Sequence, residues 1–486
     1  MHGAAARVVT RTWPFLPGAV VFVLLYGITI ARGGRFLYEE RFLIMQALDP
    51  TALDLYPVPV LLSLHIQPPM MNTLYAVTDS TPALLTWLTA AAALATVLMV
   101  VDAVRASGAG ARWAAAAGAL YALLPATVLY SLFPYTTTVT AFFAMLAVWG
   151  VSRIGSWQGY AVALSAIGMG GLFLTRASFT WWVALAWLGA LTVVLVRRRA
   201  AWGAASRVVA GVLLAAGALG VVAVQAHYWA AFRLPTLSSW SGENVSNALI
   251  TVGLSAEAKG RLSEQDPCFA QLVAAGAWAP VETYSACIDP AEPVKGGTPV
   301  LEDAERRPPS TGINYNAGAR LALADDWTRF VRAALAADPT AVVRVVTGSG
   351  EFDGSLSRFL GRSDVYFETL DIPKSTAPAL WAVLGVWSAA FPYLGWGVVI
   401  ASLIGAAVSR RFRARLPMAY GFAVALLIVH AVPSILGDYG ENNRFRAETD
   451  AVLLVTAVLA VWAARQSAMR ASSNAATASG SPSTSS

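Results

Sequence analysis

The chain has 486 residues, 57% of them hydrophobic and only 13% charged. Soluble globular domains carry about 25% charged residues, so half that share over such a length excludes an ordinary water-soluble enzyme and points to lipid as the main solvent. The net charge of +6 would suggest nucleic acid in a soluble protein. Here the positions of the charges matter more than their sum, and no nucleic-acid partner is expected.

A helix needs about 20 mostly apolar residues to cross the hydrocarbon core. Read from the uncharged stretches between charges, the expected fold is an all-α polytopic transmembrane bundle of ten spans. Residues 1–13 form a cytoplasmic N-terminus and residues 14–31 the first span, read as an uncleaved anchor. A first outer loop, 32–82, follows. Six spans are expected over 83–226, a long extracytoplasmic loop over 227–376, three spans over 377–466, and a disordered cytoplasmic tail over 467–486. The forty uncharged residues between Arg112 and Arg153 are too many for one crossing, and Ser131–Thr138 supplies a turn between two helices. Pro392 kinks the eighth span or separates a surface segment from it. The tenth span, Ala451–Ala464, is short at 14 residues.

Lys and Arg set the orientation. With both termini in the cytoplasm, the cytoplasmic segments hold 15 arginines against one acid, Asp102. The outer segments hold most of the acids. A multi-pass protein of the cell membrane, with its chemistry on the extracytoplasmic face, is the expected arrangement.

The long outer loop has 13 basic and 18 acidic residues. Within it, Ala324–Val346 has helical spacing of Trp327, Phe330, Val331 and Leu335, which predicts an amphipathic helix near the membrane interface. Both cysteines, Cys268 and Cys287, lie in this loop. An oxidising compartment favours a disulfide between them over two free thiols.

Several outer residues have chemistry to offer. Glu39 and Glu40 are adjacent carboxylates just past the first span. One of them, partly desolvated, suits a base acting on an incoming hydroxyl; the bland alternative is a solvated pair at the membrane edge. Tyr56 follows in the same loop. In His65-Ile-Gln67-Pro68-Pro69 the two prolines fix an extended entry into Met70–Val77, and His65 and Gln67 can hydrogen-bond a phosphate or a sugar. A plain surface turn explains the same spacing. Arg444 and Arg446, beside Asn443, open the last span at headgroup depth. Guanidinium forks onto phosphate oxygens, and snorkelling to lipid headgroups is the alternative. Arg176 is a lone charge in an apolar run of more than forty residues, costly at such a position unless paired.

Taken in order, four pieces resemble a family. They are Tyr38-Glu-Glu-Arg-Phe42, Leu64-His-Ile-Gln-Pro-Pro-Met-Met-Asn72, Leu174-Thr-Arg176 and Glu441-Asn-Asn-Arg-Phe-Arg446. Softer similarity lies in Leu237-Ser-Ser-Trp240 and Ala337-Asp-Pro339. The chain resembles the polytopic glycosyltransferases of the GT-C fold, in the bacterial branch of protein mannosyltransferases and lipid A aminoarabinose transferases. The resemblance implies transfer of a sugar from a polyprenyl-phosphate donor to a cell-envelope glycan, lipid or protein acceptor, with inversion. It implies Glu39 or Glu40 as the first-loop acid and His65, Arg176, Arg444 and Arg446 near the donor phosphate. Gln67, Tyr56 and Asn443 are then sugar or acceptor contacts. The resemblance fixes no cofactor with certainty; a divalent metal is left open, with no ligands assigned. The chain departs from the family in carrying Glu39-Glu40 where members usually have Asp, often Asp-Glu. Two rival readings are a transporter or flippase for a lipid-linked or amphipathic solute, and an inactive GT-C-like scaffold.

Overall fold

In lipid, every backbone N–H and C=O must be satisfied within its own segment, so long apolar stretches fold as helices. A computed structural model of the chain describes residues 12–31, 57–78, 82–132, 136–276, 279, 281–288, 318–349, 352–362, 378–437 and 442–479. The helices on which the rest depends are, in chain order, α1 (Leu16–Ala31), α2 (Met70–Val77), α3 (Pro82–Ala106), α4 (Ala111–Ala122), α5 (Pro125–Leu129), α6 (Thr136–Trp157), α7 (Gly159–Thr175), α8 (Trp181–Arg198) and α9 (Ala204–Phe232). Then come α10 (Trp240–Ala248), α11 (Gly318–Ala337), α12 (Pro378–Val408), α13 (Met418–Leu436), α14 (Asn442–Ala447) and α15 (Asp450–Ser479).

Among the described residues, eight helices are long and apolar enough to cross a membrane, and nine if the bent pair Ala111–Ala122 and Pro125–Leu132 counts as one span. The chain is a multi-pass, all-α membrane protein. The one remaining expected span, the fifth, corresponds to α7, apolar but only 17 residues long. Pro392 does not divide its span: α12 is one helix of 31 residues with the proline inside. The tail departs from expectation. Helix α15 has 30 residues and runs to Ser479, well into the segment read as disordered. The reason lies in Ala468, Ala471, Ala475, Ala476 and Ala478, which carry high helix propensity through a polar stretch.

Helices α6 and α7 make the closest packing in the bundle, and glycine is the cause. A Cβ on Gly150 would sit 2.5 Å from the Ser165 nitrogen, and one on Gly168 2.4 Å from the Ala147 nitrogen. Small residues at such crossings let backbones approach where lipid offers no hydrophobic drive. At the opposite end from the long loop, Asp102 of α3 is held by Arg153 of α6 and by Trp149 Nε1, at 2.6 Å.

The long loop builds a core of its own. Trp327 and Phe330 of α11 are buried with Leu249, Leu262, Phe269, Leu272 and Tyr284. This corrects the expected interfacial helix: the apolar stripe exists, but it faces the interior of a loop module rather than lipid. The helix also breaks at Asp338, ahead of a second short helix, Ala341–Thr347. Pro339 accounts for the break. Cys268 and Cys287 are joined, with Cα atoms 4.6 Å apart. Glu243 of α10 accepts from Arg320 Nη1 of α11 at 2.8 Å, with both side chains almost fully buried. Burial pushes the Glu243 carboxyl up to about 7, against the opposing pull of the Arg320 guanidinium.

Candidate functional site

Three segments far apart in sequence meet at the end of the bundle that faces the loop module. The first is the turn Arg176–Thr180 between α7 and α8. The second is the last part of α13, which carries His430. The third is α14 with the entry to α15, Asn442–Asp450. An apolar helix must end in a turn where polar groups can find partners, and these turns find one another.

Arg176 Nε donates to Glu448 Oε2 at 2.8 Å, and Glu448 is fully buried. The Arg176 guanidinium also lies 4.0 Å from the Phe445 ring centroid, and that of Arg444 lies 4.6 Å from the same ring. Phe445 thus serves as an aromatic plate for two cations. Arg444 is 1% exposed, so its charge is held within the protein rather than snorkelling to water. Arg446 has different company. Its Nε donates to Asp450 Oδ1 at 3.1 Å, one helical turn on, and its Nη1 donates to the carbonyls of Phe359 at 3.2 Å and Gly361 at 2.5 Å. Arg446 therefore ties the loop module to the mouth of the bundle, and most of its hydrogen-bonding capacity is committed there.

His430 is fully buried. Its Nε2 lies 2.7 Å from the Phe445 carbonyl oxygen and 3.5 Å from Glu448 Oε2. Its Nδ1 faces Ser178 Oγ at 3.3 Å, and its ring stacks on Phe179. Among the described residues, Arg176, Arg444 and Arg446 share this cluster with Glu448 and Asp450. Arginine pairs of this kind recognise phosphate and carboxylate.

His65 belongs to a second contact. It is buried, with Nδ1 3.0 Å from Ser239 Oγ and its ring beside Phe232. The backbone N–H of Ser239 donates to the His65 carbonyl at 2.7 Å, and Ser238 Oγ donates to the Ile66 carbonyl at 2.6 Å. Two of the sequence pieces singled out earlier, His65–Pro69 and Leu237–Trp240, thus dock on each other. From there α2 runs on to pack against α7, the helix that ends at Arg176. Gln67 is half-buried. Glu39, Glu40 and Tyr56 lie outside the described residues, and the side chain of Asn443 does too.

Two cavities are notable, and the first reaches the cluster at Asp450. One is lined by hydroxyls of Thr96, Tyr121, Thr127, Tyr130 and Thr137 together with Asp450. The other is an apolar groove between α2, α3 and α6, lined by Leu74, Leu85, Leu88, Val139, Phe142 and Phe143. Among the described residues, Cys268, Cys287 and Asp326 make the only grouping of potential metal ligands, and both sulfurs are taken by the disulfide.

Sequence reasoning missed His430, Glu448, Asp450 and Ser178. A histidine in the middle of an uncharged span was a signal, because ionisable groups inside membranes are functional hypotheses by default. The four-residue spacing of Arg446 and Asp450 was another. No known family model matches the chain, nor does any characterised protein sequence or solved structure.

Proposed function

We propose that the chain is a membrane glycosyltransferase of GT-C type, which moves a sugar from a polyprenyl-phosphate donor to a cell-envelope acceptor on the extracytoplasmic face of the cell membrane. One observation carries this reading: Arg176 and Arg444, 268 positions apart in the sequence, meet on the Phe445 ring. Such a cradle holds a phosphate and offsets the charge that develops on it as a leaving group. The apolar groove between α2, α3 and α6 suits an isoprenoid chain. In this reading, Glu39 or Glu40 takes the proton of the acceptor hydroxyl, whose direct attack inverts the anomeric centre. Gln67, Tyr56 and Asn443 then serve the sugar and acceptor, and His65 and Arg446 shape the donor site by holding the loops around it.

The test is transfer from a panel of synthetic polyprenyl phosphate sugars to cell-envelope extract by the purified protein in detergent. Transfer that falls roughly 100-fold or more in Arg444→Gln and in Glu39→Gln/Glu40→Gln supports the reading. Absence of transfer from every donor, or transfer unchanged by these substitutions, removes it. Solute flux in vesicles without any glycan product would favour the transporter.

A further inference from the structure

Ser178 has an arrangement that sugar transfer does not use. The carbonyl of Phe445 can only accept a hydrogen bond, so the 2.7 Å contact assigns the imidazole proton of His430 to Nε2. In the neutral ring this leaves a lone pair on Nδ1, and the group facing it is the Ser178 hydroxyl at 3.3 Å. The imidazole is fixed on its other sides by the coplanar Phe179 ring and by Glu448, whose Oε2 lies 3.5 Å from Nε2. A hydroxyl, a base in hydrogen-bond reach and a third group orienting the base form the signature of an activated nucleophile. Apo geometry at such sites is often loose.

The position of Ser178 adds to this. His430 is fully buried but Ser178 is only half-buried, so the hydroxyl is the accessible member of the pair. It lies two residues before Thr180, the N-cap of the 18-residue helix α8. That cap makes no side-chain bond to the helix, and among the described residues Thr180 Oγ1 has no partner. The first N–H groups of a helix lack intrahelical partners and carry partial positive charge, which suits a developing oxyanion. Arg176 stands two residues away on the other side. A glycerophospholipid carries an acyl ester close to its phosphate. Arg176, two residues from Ser178, offers such a phosphate a cation beside the hydroxyl that would meet the ester.

We infer that Ser178 and His430 form a serine nucleophile and its base, acting on the acyl ester of a glycerophospholipid at the membrane surface. Ser178 Oγ forms a bond to the ester carbonyl carbon as its proton passes to His430 Nδ1, and the carbonyl electron pair moves onto oxygen. The intermediate collapses with loss of the lysolipid alkoxide, which takes the proton from His430. Water then repeats the sequence on acyl-Ser178, releasing the fatty acid and restoring the hydroxyl. Glu448 stabilises the transient imidazolium, though it shares its charge with Arg176. None of this depends on the sugar-transfer reading.

The experiment uses the purified full chain in detergent with a fluorophosphonate probe, in which Ser178 displaces fluoride from phosphorus. The adduct is located by peptide mass spectrometry, and fatty-acid release from dioleoyl phosphatidylglycerol vesicles is measured in parallel. The expected result is an adduct on Ser178, and release that drops about 100-fold or more in Ser178→Ala. Ser178 is a half-buried turn residue, so this variant keeps the fold, and an unchanged thermal unfolding profile checks that it does. Labelling no greater than in heat-unfolded protein, or labelling that survives Ser178→Ala, overturns the nucleophile. An adduct on Ser178 without fatty-acid release overturns the substrate.

Discussion

The membrane bundle and the loop module each bury an arginine–carboxylate pair, and the two pairs are built differently. In the module, Arg320 and Glu243 are surrounded by an aromatic core, and Arg320 Nη2 also donates to the Ala279 carbonyl at 2.5 Å. That pair closes on itself inside a structure folded in water. At the mouth of the bundle, Arg176 and Glu448 sit with Arg444, Arg446, His430 and Asp450. A buried pair is weak evidence for stability, because desolvation offsets much of its attraction. The module's pair is enclosed by a single core, whereas the bundle's pair is one part of a wider cluster of ionisable groups drawn from three segments.

Removing one partner gives the largest expected effect. Glu448→Ala leaves Arg176, whose side chain is mostly but not fully buried, without its carboxylate, and a loss of about 3–4 kcal/mol follows. Thermal unfolding in detergent measures it. Replacing both partners at once, Arg176→Met with Glu448→Leu, restores much of that stability, because neither charge is then left stranded. The double variant should fold and yet fail to bind inorganic phosphate or a polyprenyl phosphate. If it folds and binds as before, the bundle's pair is as structural as the module's and the contrast breaks.

Within the module, removing the disulfide comes next. It closes a loop of 19 residues, for which chain entropy gives about 3 kcal/mol. Cys268→Ser with Cys287→Ser should expose the loop module to limited proteolysis while the bundle stays intact, which tests whether the two regions unfold separately.

The Glu243 carboxyl supplies a pH dependence of similar or smaller size. Its folded-state pKa is raised from 4.5 to about 7, chiefly by burial. The native state therefore holds more protons than the unfolded state between those values. The resulting stability is complete below pH 4.5 and is lost as pH rises through 7, on the order of 3 kcal/mol in all. The module should become more resistant to urea on acidification from pH 8 to pH 5, and Glu243→Gln should flatten that dependence. An unchanged slope in the variant would mean that another group carries it.

The sequence discloses spans better than it discloses meetings. Charge-free stretches locate the helices because lipid penalises charge at every position, but they cut α15 short at Arg465. A helix does not stop where it leaves the membrane, and the alanines beyond carry it on. The stripe of Trp327 and Phe330 was legible as periodicity, yet a periodic face does not say what covers it. Arg176 was conspicuous as a lone charge, but its partner Glu448 lies 272 residues away, and no local pattern points across that distance. Glu448 and Asp450 looked like ordinary loop acids because the short helix that turns them inward, α14, has too few residues to show a period. His65 was read for its chemistry, and its packing against Ser239 and Phe232 arises from a segment 174 residues further on.

The smallest expected effect tests the packing side of the same contrast. The module is held by large buried aromatics in water, so volume added at its rim is absorbed by solvent. The bundle is held at α6 and α7 by the absence of side chains, and lipid supplies no hydrophobic drive to compensate for a gap. Gly168→Ala places a methyl 2.4 Å from the Ala147 nitrogen and 2.8 Å from its Cα. Both are backbone atoms that no rotamer change can move, so the helices must separate. A cost of about 1–3 kcal/mol is expected, read as a lowered unfolding temperature in detergent. Gly170 lies two residues along the same helix, and a Cβ there meets nothing within 4 Å. Gly170→Ala should therefore be neutral or slightly stabilising through helix propensity, by up to about 1 kcal/mol. Equal effects from the two substitutions would show that α6 and α7 are not in the close register on which the position of Arg176, at the end of α7, depends.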